Sequence, residues 1–305
     1  MKAIISGATG AIGMALINEL LAGGHEILVL CRESSPRSKN IPNNPLVKKI
    51  DCPLDRMSEL KPNDKYDVFY HFAWEGTTGV SRNDMYLQNR NVKYTLEAVA
   101  LAKRFGCHTF IGAGSQAEYG RVEGKLTPST PTFAENGYGM AKLCASQMSR
   151  VMCEELGLRH IWTRILSVYG PYDTEGSMVM STIRKLRNGE KTAFTKGEQV
   201  WDYLYSRDAA KAFVALSERG RDGAIYCLGS GAPRKLCDYI KTIGSIVAPE
   251  AELGIGELPY SARQVMYLCA DITALTEDTG FVPNTAFEDG IKETVKWYYE
   301  ERERS

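Results

Sequence analysis

Three side chains in the middle of the chain could together move a proton at an oxygen-bearing carbon. They are Ser115, Tyr138 and Lys142. Tyr138 and Lys142 are spaced so that, on a helix, they lie one turn apart on the same face. Free tyrosine has a pKa near 10, and bringing it to about 7 takes roughly 4 kcal/mol of preferential stabilisation of the phenolate. A fixed ammonium one turn away favours the phenolate, so we predict that Lys142 helps to make Tyr138 an acid-base group.

Ser115 directly follows a strand-like run, FIGAG, over residues 110–114. In a parallel sheet the carboxyl end of a strand faces the ligand, where a hydroxyl can hydrogen-bond the reacting oxygen. Simpler interpretations exist for all three residues. The helix could be a surface helix with an incidental Tyr and Lys, and Ser115 could belong to an ordinary strand-terminating turn.

A glycine-rich turn lies near the start of the chain, after one apolar run and before a helical pattern. Residues 6–13 read SGATGAIG. A backbone that turns tightly and approaches a pyrophosphate needs small residues, because the N–H groups of the helix start then bind the phosphate charge. At the first strand–helix junction of a βαβ chain, this motif predicts a dinucleotide site. The residues expected to contact the dinucleotide there are Gly7, Thr9, Gly10, Ala11, Ile12 and Gly13.

The end of the second strand bears on the choice between NAD and NADP. NAD sites commonly place Asp or Glu there, about 20 residues past the glycines, to bind the ribose hydroxyls. Here the strand ends with Arg32 and Glu33. Because an Arg can pair bidentately with a 2′-phosphate, we favour NADP(H), with Arg32 as its contact. The alternative is that Arg32 is a solvated charge and Glu33 binds the ribose, which leaves NAD(H) open.

Short apolar runs alternate with stretches of helical period, as in βαβ units around a parallel sheet. Strand-like runs lie at residues 3–5, 27–30, 68–70, 109–111 and 161–165, and helices are predicted over about 11–22, 84–104 and 139–156. A helix at about 207–219 and a strand near 224–227 return to the sheet. We predict an α/β fold, a Rossmann-type doubly wound parallel sheet with a smaller C-terminal substrate-binding lobe. The dinucleotide-binding domain takes residues 1–167 plus about 200–230, and the lobe takes about 168–199 plus 231–305.

The bulk composition excludes several classes of partner. The 305 residues include 37 basic and 37 acidic side chains, and without clustered surplus Lys and Arg we expect no nucleic-acid partner. The eight cysteines are scattered singly, and the four histidines lack metal-ligand spacing. We therefore expect reduced thiols, a cytoplasmic location and no metal site. The first strand begins at Lys2, so we expect no targeting segment. No apolar run approaches the roughly 20 residues that span a bilayer, so we expect no membrane anchor.

Further motifs occur in a fixed order along the chain. Besides the glycines and the three candidate catalytic residues, they are Asp51 after the third strand, HFA at 71–73, NV at 91–92, EYG at 118–120, Arg164 with VYGP at 168–171, and WDY at 201–203 ahead of DAA at 208–210. With these motifs the chain resembles an extended short-chain dehydrogenase/reductase, in the NAD-dependent epimerase/dehydratase family typified by UDP-galactose 4-epimerase. The resemblance covers essentially the whole chain.

The resemblance implies a role for each matching residue. Tyr138 would be the acid-base residue, Lys142 would also hold the nicotinamide ribose, and Ser115 would polarise the substrate oxygen. Asp51 would lie near the adenine. The further cofactor contacts that the resemblance implies are Cys52, Phe72, Ala73, Asn91 and Ile165.

The chain departs from the family pattern at several positions. Where 4,6-dehydratases of the family carry an adjacent Asp-Glu pair, this chain has Gln116 and Ala117, so we reject a dehydratase. Ser167 stands where an Asn is common, and Trp201 stands where an Arg usually meets the substrate pyrophosphate. Met178 stands where sugar epimerases often hold an Asn, and together these changes argue against a standard UDP-hexose. The residues expected to line the substrate are Trp74, Gln116, Ser167, Met178, Phe194 and Trp201.

The expected function is reduction of a keto group on a nucleotide-linked deoxysugar, with hydride from NADPH and a proton from Tyr138. Arg32 and the missing dehydratase pair favour it. One alternative is an NAD-dependent nucleotide-sugar epimerase, in which the same residues oxidise C4 and hydride returns to the other face of the rotated keto-sugar. Another is a non-catalytic dinucleotide-sensing module, although such proteins typically lose the Tyr–Lys pair.

A homodimer is also expected from the resemblance, because family members often pair the helix that bears Tyr138 with the helix at about 84–104. Leu87, Val92, Leu96 and Val99 give the second helix an apolar face. The alternative is that this face packs only against the sheet.

Overall fold

A seven-stranded parallel sheet forms the centre of the protein, whose computed structural model describes residues 1–262 and 264–303. In chain order the strands are β1 (Lys2–Ser6), β2 (Glu26–Cys31), β3 (Val47–Asp51), β4 (Val68–His71), β5 (Thr109–Ser115), β6 (Arg159–Ile165), β7 (Ser167–Tyr169), β8 (Val200–Trp201), β9 (Tyr203–Tyr205), β10 (Ala224–Leu228) and β11 (Arg234–Lys235). The helices are α1 (Ala11–Ala22), α2 (Met85–Arg104), α3 (Gly137–Leu156), α4 (Met178–Arg187), α5 (Ser206–Arg219), α6 (Leu236–Val247), α7 (Thr273–Thr279) and α8 (Phe287–Glu303). The strand order in the central sheet is β10-β6-β5-β4-β1-β2-β3.

The strand order reverses between β1 and β4. From β1 the chain moves outward to β2 and β3, and it then returns to β4 and moves outward through β5, β6 and β10 on the other side. In open parallel sheets the crevice for a ligand lies at the carboxyl ends of the strands where the order reverses. The turn after β1 and the ends of β4 and β5 border this crevice, so the topology brings the glycine turn and Ser115 to one edge of the sheet.

The sheet is covered by helices on both faces. Side chains alternate along each strand, so that Ile5 and Val29 face α1 and α5, whereas Ile4 and Leu28 face α2 and α3. Each of these four side chains is at most 1% exposed. Continuous apolar runs, rather than alternation of polar and apolar residues, are the pattern of a parallel sheet buried on both sides.

A separate apolar cluster, besides those on the two faces of the sheet, joins α4, α6 and α8 to Tyr169 and Tyr205. Nearby, Asp202 lies between β8 and β9 and is fully buried. Its carboxylate accepts hydrogen bonds from the backbone N–H groups of Gly231 and Ala270, at 3.1 and 3.0 Å, and from both the N–H and the hydroxyl of Ser230. A buried carboxylate needs such donors, and through them Asp202 ties the β8–β9 segment to two later parts of the chain.

The sequence predicted most of these elements. The Rossmann-type α/β fold is confirmed, and the helices expected at about 11–22, 84–104, 139–156 and 207–219 are α1, α2, α3 and α5. The pattern of apolar runs did not predict β3, because Lys48 and Lys49 interrupt the apolar residues of that strand. As the edge strand of the sheet, β3 exposes both lysines. The division into a dinucleotide domain and a substrate lobe stays a prediction.

Three further features concern membranes, thiols and metals. None of the described helices is both long and apolar enough to cross a membrane. The eight cysteines, all within the described part of the chain, are free thiols. No cluster of three or more His, Cys, Asp or Glu side chains in residues 1–262 and 264–303 is arranged to hold a metal ion.

Candidate active site

The glycine turn brings backbone segments into very close approach. Gly7 has a φ of +75°, and a Cβ there would lie 2.4 Å from the backbone nitrogen of Ala73. A Cβ on Gly13 would lie 2.6 Å from the Cα of Ala8. Both positions therefore require glycine. Gly10, at the N-cap of α1, has no side chain that could bond the first N–H groups of the helix, so those groups remain available to an anion.

Two adjoining cavities lie at the carboxyl ends of β1, β4 and β5, with volumes of about 330 and 670 Å³. They share walls formed by Gly7, Gly10, Phe72, Trp74 and Thr77. Together they form one elongated cleft, which suits a ligand with two distinct ends. The predicted cofactor contacts that line this cleft are Gly7, Thr9, Gly10, Ala11, Ile12, Gly13, Arg32, Cys52, Phe72, Ala73, Lys142 and Ile165.

The segment after β2 contributes two arginines to the larger cavity. Arg32, Ser35 and Arg37 all line it, whereas Glu33 is exposed and is not among its walls. Asp51, which the resemblance placed near the adenine, does not line the cleft either. Its carboxylate accepts a 2.7 Å hydrogen bond from the Glu33 N–H, and so it fixes the turn that presents the arginines.

Helix α3 presents Tyr138 and Lys142 to the smaller cavity, which Ser115 also lines. The helix begins at Gly137, and the Asn136 side chain caps it by accepting a 2.9 Å hydrogen bond from the Gly139 N–H. This cap fixes the start of the helix and with it the direction in which Tyr138 leaves the backbone. The structure therefore brings the three predicted catalytic residues together, beside the glycine turn.

Lys142 is held by two contacts beneath the cavity. The side chain is only 3% exposed, and its ammonium donates a 2.5 Å hydrogen bond to the Ala113 carbonyl. The same ammonium lies 3.7 Å from the centre of the Trp74 ring. Burial nevertheless lowers the pKa of Lys142 to about 7. Near neutral pH the side chain is therefore divided between its charged and neutral forms.

The surroundings of Tyr138 contradict the expectation that the helix neighbour makes the phenol acidic. Burial raises the pKa of Tyr138, and the lowering effects of the Ser115 hydroxyl and of Arg82 only partly oppose it. The Lys142 ammonium lies 5.8 Å from the centre of the Tyr138 ring and is engaged elsewhere. The ammonium alone does not offset the cost of burying a phenolate. The acidity of Tyr138 beside a positively charged nicotinamide ring stays a prediction.

A buried ion pair fixes the backbone at Ser115. Glu118 is fully buried, and its Oε2 accepts a 2.8 Å hydrogen bond from the Arg164 Nε. Its Oε1 accepts from the Ser115 N–H at 2.8 Å and from the Trp162 indole N–H at 3.1 Å. The Arg164 guanidinium also lies 4.4 Å from the centre of the Tyr119 ring. Glu118, which the sequence offered only as part of a family motif, therefore holds the end of β5 in place.

Two buried amides of α2 anchor the loop that follows β4. Asn91 accepts a 2.9 Å hydrogen bond from the Glu75 N–H and donates one of 3.0 Å to the Glu75 carbonyl. Gln88 accepts a 2.9 Å hydrogen bond from the Trp74 indole N–H and donates to the Gly76 carbonyl. Asn91, which was expected to contact the cofactor, does not line the cleft. Its amide instead holds the loop after β4, and that loop lines the cleft.

The residues expected to bind substrate are spread more widely. Trp74 lines the cleft, packed against Lys142 and Tyr138. Ser167 and Trp201 bond to each other, with the indole N–H donating to the serine hydroxyl at 2.8 Å. The side chains at two positions that depart from the family pattern therefore contact each other. The walls of the cleft do not include the other five, which are Gln116, Ser167, Met178, Phe194 and Trp201.

The sequence did not point to two charged residues at the smaller cavity. Asp173 lines it and follows Tyr172, whose φ is +65°, and burial raises the pKa of the Asp173 carboxyl. Arg82 lies on the loop after β4, with its guanidinium carbon 4.4 Å from the centre of the Tyr138 ring. Arg82 lies in the loop after β4, at the reversal of the central sheet, and that place in the fold is the signal that could have found it. Asp173 follows β7, outside the central sheet, and no such signal points to it.

Comparison with known proteins relates this site to one family. The model of the NAD dependent epimerase/dehydratase family matches residues 3–229. The chain is 25% identical over 316 residues to a trifunctional UDP-glucose 4,6-dehydratase/UDP-4-keto-6-deoxy-D-glucose 3,5-epimerase/UDP-4-keto-L-rhamnose-reductase of Arabidopsis thaliana, covering 97% of this chain and 46% of that protein. It is 24% identical over 329 residues to a UDP-N-acetyl-alpha-D-glucosaminuronate decarboxylase of Bacillus cytotoxicus, covering 98% of each. The chain spans about half the length of several curated relatives that it matches.

Solved structures share the fold over the whole chain. UDP-glucose 4-epimerase of Thermotoga maritima with UDP-glucose aligns with a TM-score of 0.88 at 22% identity, covering 99% of this chain and all of that one. UDP-glucuronic acid 4-epimerase of Bacillus cereus in complex with NAD aligns with a TM-score of 0.84 at 20% identity, covering 98% and 97%. The family match spans most of the chain and includes the glycine turn, Ser115, Tyr138 and Lys142, so this protein belongs to the NAD-dependent epimerase/dehydratase family.

Proposed function

We propose that the protein is an NADPH-dependent reductase of a keto group on a nucleotide-linked deoxysugar. The observation that carries the proposal is that Ser115, Tyr138 and Lys142 line one cavity beside the glycine turn. A hydroxyl, a phenol and an ammonium at one end of a dinucleotide cleft can hold a carbonyl group and protonate its oxygen. Family membership supports a nucleotide sugar as the substrate class.

The cleft fits a dinucleotide in its shape and in its donors. Gly7 and Gly13 bring backbone closer than any side chain would permit, and the uncapped start of α1 reaches the cleft through Ala11 and Ile12. Backbone N–H groups of this kind would hold the pyrophosphate. When bound, the dinucleotide would supply the hydride.

The chain's own residues would divide the work at the substrate oxygen. Ser115, held by Glu118, would donate a hydrogen bond to the carbonyl oxygen and so orient it. Tyr138 would give its proton to the same oxygen as hydride adds to the carbon, which yields the alcohol with protons and electrons balanced. In the reverse direction the phenolate takes the proton back. Lys142, fixed on the Ala113 carbonyl, would hold the nicotinamide ribose.

Dehydration is not proposed, although the Arabidopsis relative carries that activity in its name. Elimination of water across two carbons needs an acid and a base. Gln116 has an amide that neither gives nor takes a proton near neutral pH, and Ala117 is a buried methyl group. These two positions therefore supply neither group.

NADPH is favoured over NADH by the composition of the larger cavity. Arg32, Ser35 and Arg37 together offer two guanidinium groups and a hydroxyl, which suit a 2′-phosphate. Glu33, the acidic residue at the end of the second strand, lies outside the wall, and the acidic residues on the wall, Asp55 and Glu75, come from later segments. The larger cavity therefore supports the same cofactor that the sequence favoured.

Arg32→Ala tests this cofactor preference. The variant should bind NADPH about tenfold more weakly, because a charge-assisted hydrogen bond is worth roughly 1.5 kcal/mol or more. Its affinity for NADH should stay within about twofold, since NADH has no 2′-phosphate to lose. Both constants can be measured by calorimetric titration, with Arg221→Ala as an exposed arginine control. Equal or tighter NADH binding by the unaltered protein would remove the NADP assignment.

Tyr138→Phe tests the reaction itself. The unaltered protein should consume NADPH with a keto-deoxysugar nucleotide, seen as loss of the reduced nicotinamide absorbance, and the variant should lose at least about 100-fold in turnover. Tyr86→Phe, at an 84% exposed position on α2, is the matched control and should keep full activity. Sugar inversion without net change in the cofactor would identify an epimerase instead. Equal turnover in Tyr138→Phe would contradict the role of Tyr138, and no turnover in either protein would favour the non-catalytic sensing role.

We also propose a homodimer that uses α3, one of the two helices that the resemblance indicated, and not the apolar face of α2. Val92 and Val99 are 7% and 0% exposed and pack within their own chain. The exposed apolar residues instead follow one face of α3 at one-turn spacing, and they are Met140, Cys144, Met148 and Val151. Under a two-fold axis this stripe would pack on its own copy, as homodimer interfaces require.

Met148→Glu should weaken the dimer by at least about tenfold, because the axis would bring two carboxylates together in an apolar interface. Sedimentation equilibrium measures the effect. Val282→Glu, at a 62% exposed position on another surface, should leave the association unchanged. A monomer at micromolar concentration for the unaltered protein would contradict the dimer.

A further inference from the structure

Arg82 brings a second cation to the proposed acid-base residue. Its guanidinium carbon lies 4.4 Å from the centre of the Tyr138 ring. The Trp74 ring meets the same phenol edge to face, with ring centres 6.1 Å apart. Tyr138 therefore has one aromatic neighbour and one guanidinium neighbour, and the sequence motifs account for neither.

The segment that carries Arg82 is tied to the start of α3. The Asn83 side chain accepts a 3.0 Å hydrogen bond from the Gly137 N–H, one residue before Tyr138. Arg82 itself donates from Nη1 to the Thr77 carbonyl at 3.3 Å. These bonds join the turn at residues 79–83 to the helix that presents the phenol, so the guanidinium–ring contact belongs to the packing of two elements.

Arg82 is better placed than Lys142 to act on the phenol. The Lys142 ammonium lies 5.8 Å from the ring centre, and burial lowers its pKa to about 7. A guanidinium stays charged at every pH at which the protein is folded. Near neutral pH, Arg82 is thus both the nearer cation and the fully charged one.

The charged and hydroxyl groups around the phenol come from four parts of the chain. They are Arg82, Lys142, Glu118, Asp173 and the Ser115 hydroxyl. Glu118 opposes ionisation of the phenol, but its carboxylate is paired with Arg164. Asp173 shares the cavity wall with Tyr138, and burial holds its own carboxyl toward the neutral form by raising its pKa. Among these neighbours, Arg82 is the cation that favours the phenolate form of Tyr138.

We propose that Arg82 is a positioning residue that stabilises the phenolate form of Tyr138. A phenolate ring carries more negative charge on its face than a phenol ring, so a guanidinium against it favours loss of the proton. In the proposed function this matters when substrate is oxidised, because hydride leaves the carbon for the dinucleotide while Tyr138 accepts the hydroxyl proton. The proposal rests on that function for its role in turnover, whereas the effect on the phenol does not depend on the substrate.

The direct test is titration of Tyr138 in the NADP⁺ complex, using tyrosine labelled with carbon-13 at Cζ. The Tyr138 signal is the one missing from Tyr138→Phe. Arg82→Gln should raise the pKa of this phenol by about one unit, and Arg82→Lys by less, because the lysine keeps the charge. Arg221→Gln removes a 67% exposed arginine that pairs with Asp278, and it should have no effect. A phenol that titrates alike in the unaltered protein and in Arg82→Gln overturns the proposal.

Turnover separates this proposal from the proposed function. In the oxidation direction, kcat/KM falls as pH drops below the phenol pKa. Arg82→Gln should therefore lose about tenfold on that acidic limb and keep the alkaline plateau within about twofold. A merely structural role would lower the plateau and leave the pKa unmoved, and that result contradicts the proposal. If the unaltered protein turns over no nucleotide sugar while the phenol pKa still shifts, the proposed function fails and the Arg82 effect stands.

Discussion

Burying a phenol that ionises in the proposed function is costly, and the groups around Tyr138 determine how that cost is met. Burial raises the pKa of Tyr138 and lowers that of Lys142. The protein environment therefore disfavours the charged form of both residues of the helical motif. The ammonium is occupied by the Ala113 carbonyl and the Trp74 ring. Positive charge for the phenolate must therefore come from elsewhere, either from Arg82 or from a bound oxidised nicotinamide.

The rest of the site is built to hold these groups in register. The Glu118–Arg164 pair fixes the end of β5 from below, and the Asn136 cap fixes the start of α3. Gln88 and Asn91 fasten the loop after β4 from the side of α2. Each anchor is a polar group that the fold buries and satisfies within the protein. The candidate active site is thus supported by three elements of the Rossmann sheet and its covering helices.

The fold and the centre of the site could be predicted from the sequence, because both depend on local patterns. Apolar runs gave the strands, and the glycine turn is recognisable from its spacing between a strand and a helix. Gly13 is constrained locally by Ala8, whereas Gly7 is constrained by Ala73 of a distant segment. The spacing of Tyr138 and Lys142 needs only a helix. Residues whose placement depends on distant packing could not be predicted in this way. Arg82 and Tyr138 are 56 positions apart in the sequence, and their contact depends on the packing of two elements that the Asn83–Gly137 hydrogen bond joins.

The positions of other predicted residues depend on distant packing in the same way. Asn91 and Asp51 stand at family positions, yet their side chains bond to neighbouring backbone rather than line the cleft. Val92 and Val99 form an apolar face that packs within the chain, which periodicity cannot distinguish from an interface. Trp201 and Ser167 each departed from the family pattern, and their mutual hydrogen bond shows why the two changes accompany one another.

The proposed function requires the Tyr138 hydroxyl to meet the reacting end of a dinucleotide. A crystal structure of the NADPH complex would show this contact. We expect the phenol oxygen within about 4 Å of the nicotinamide ring, with the pyrophosphate against the turn at residues 7–13. A nicotinamide in another part of the cleft, or a phenol directed away from it, would overturn the proposed function.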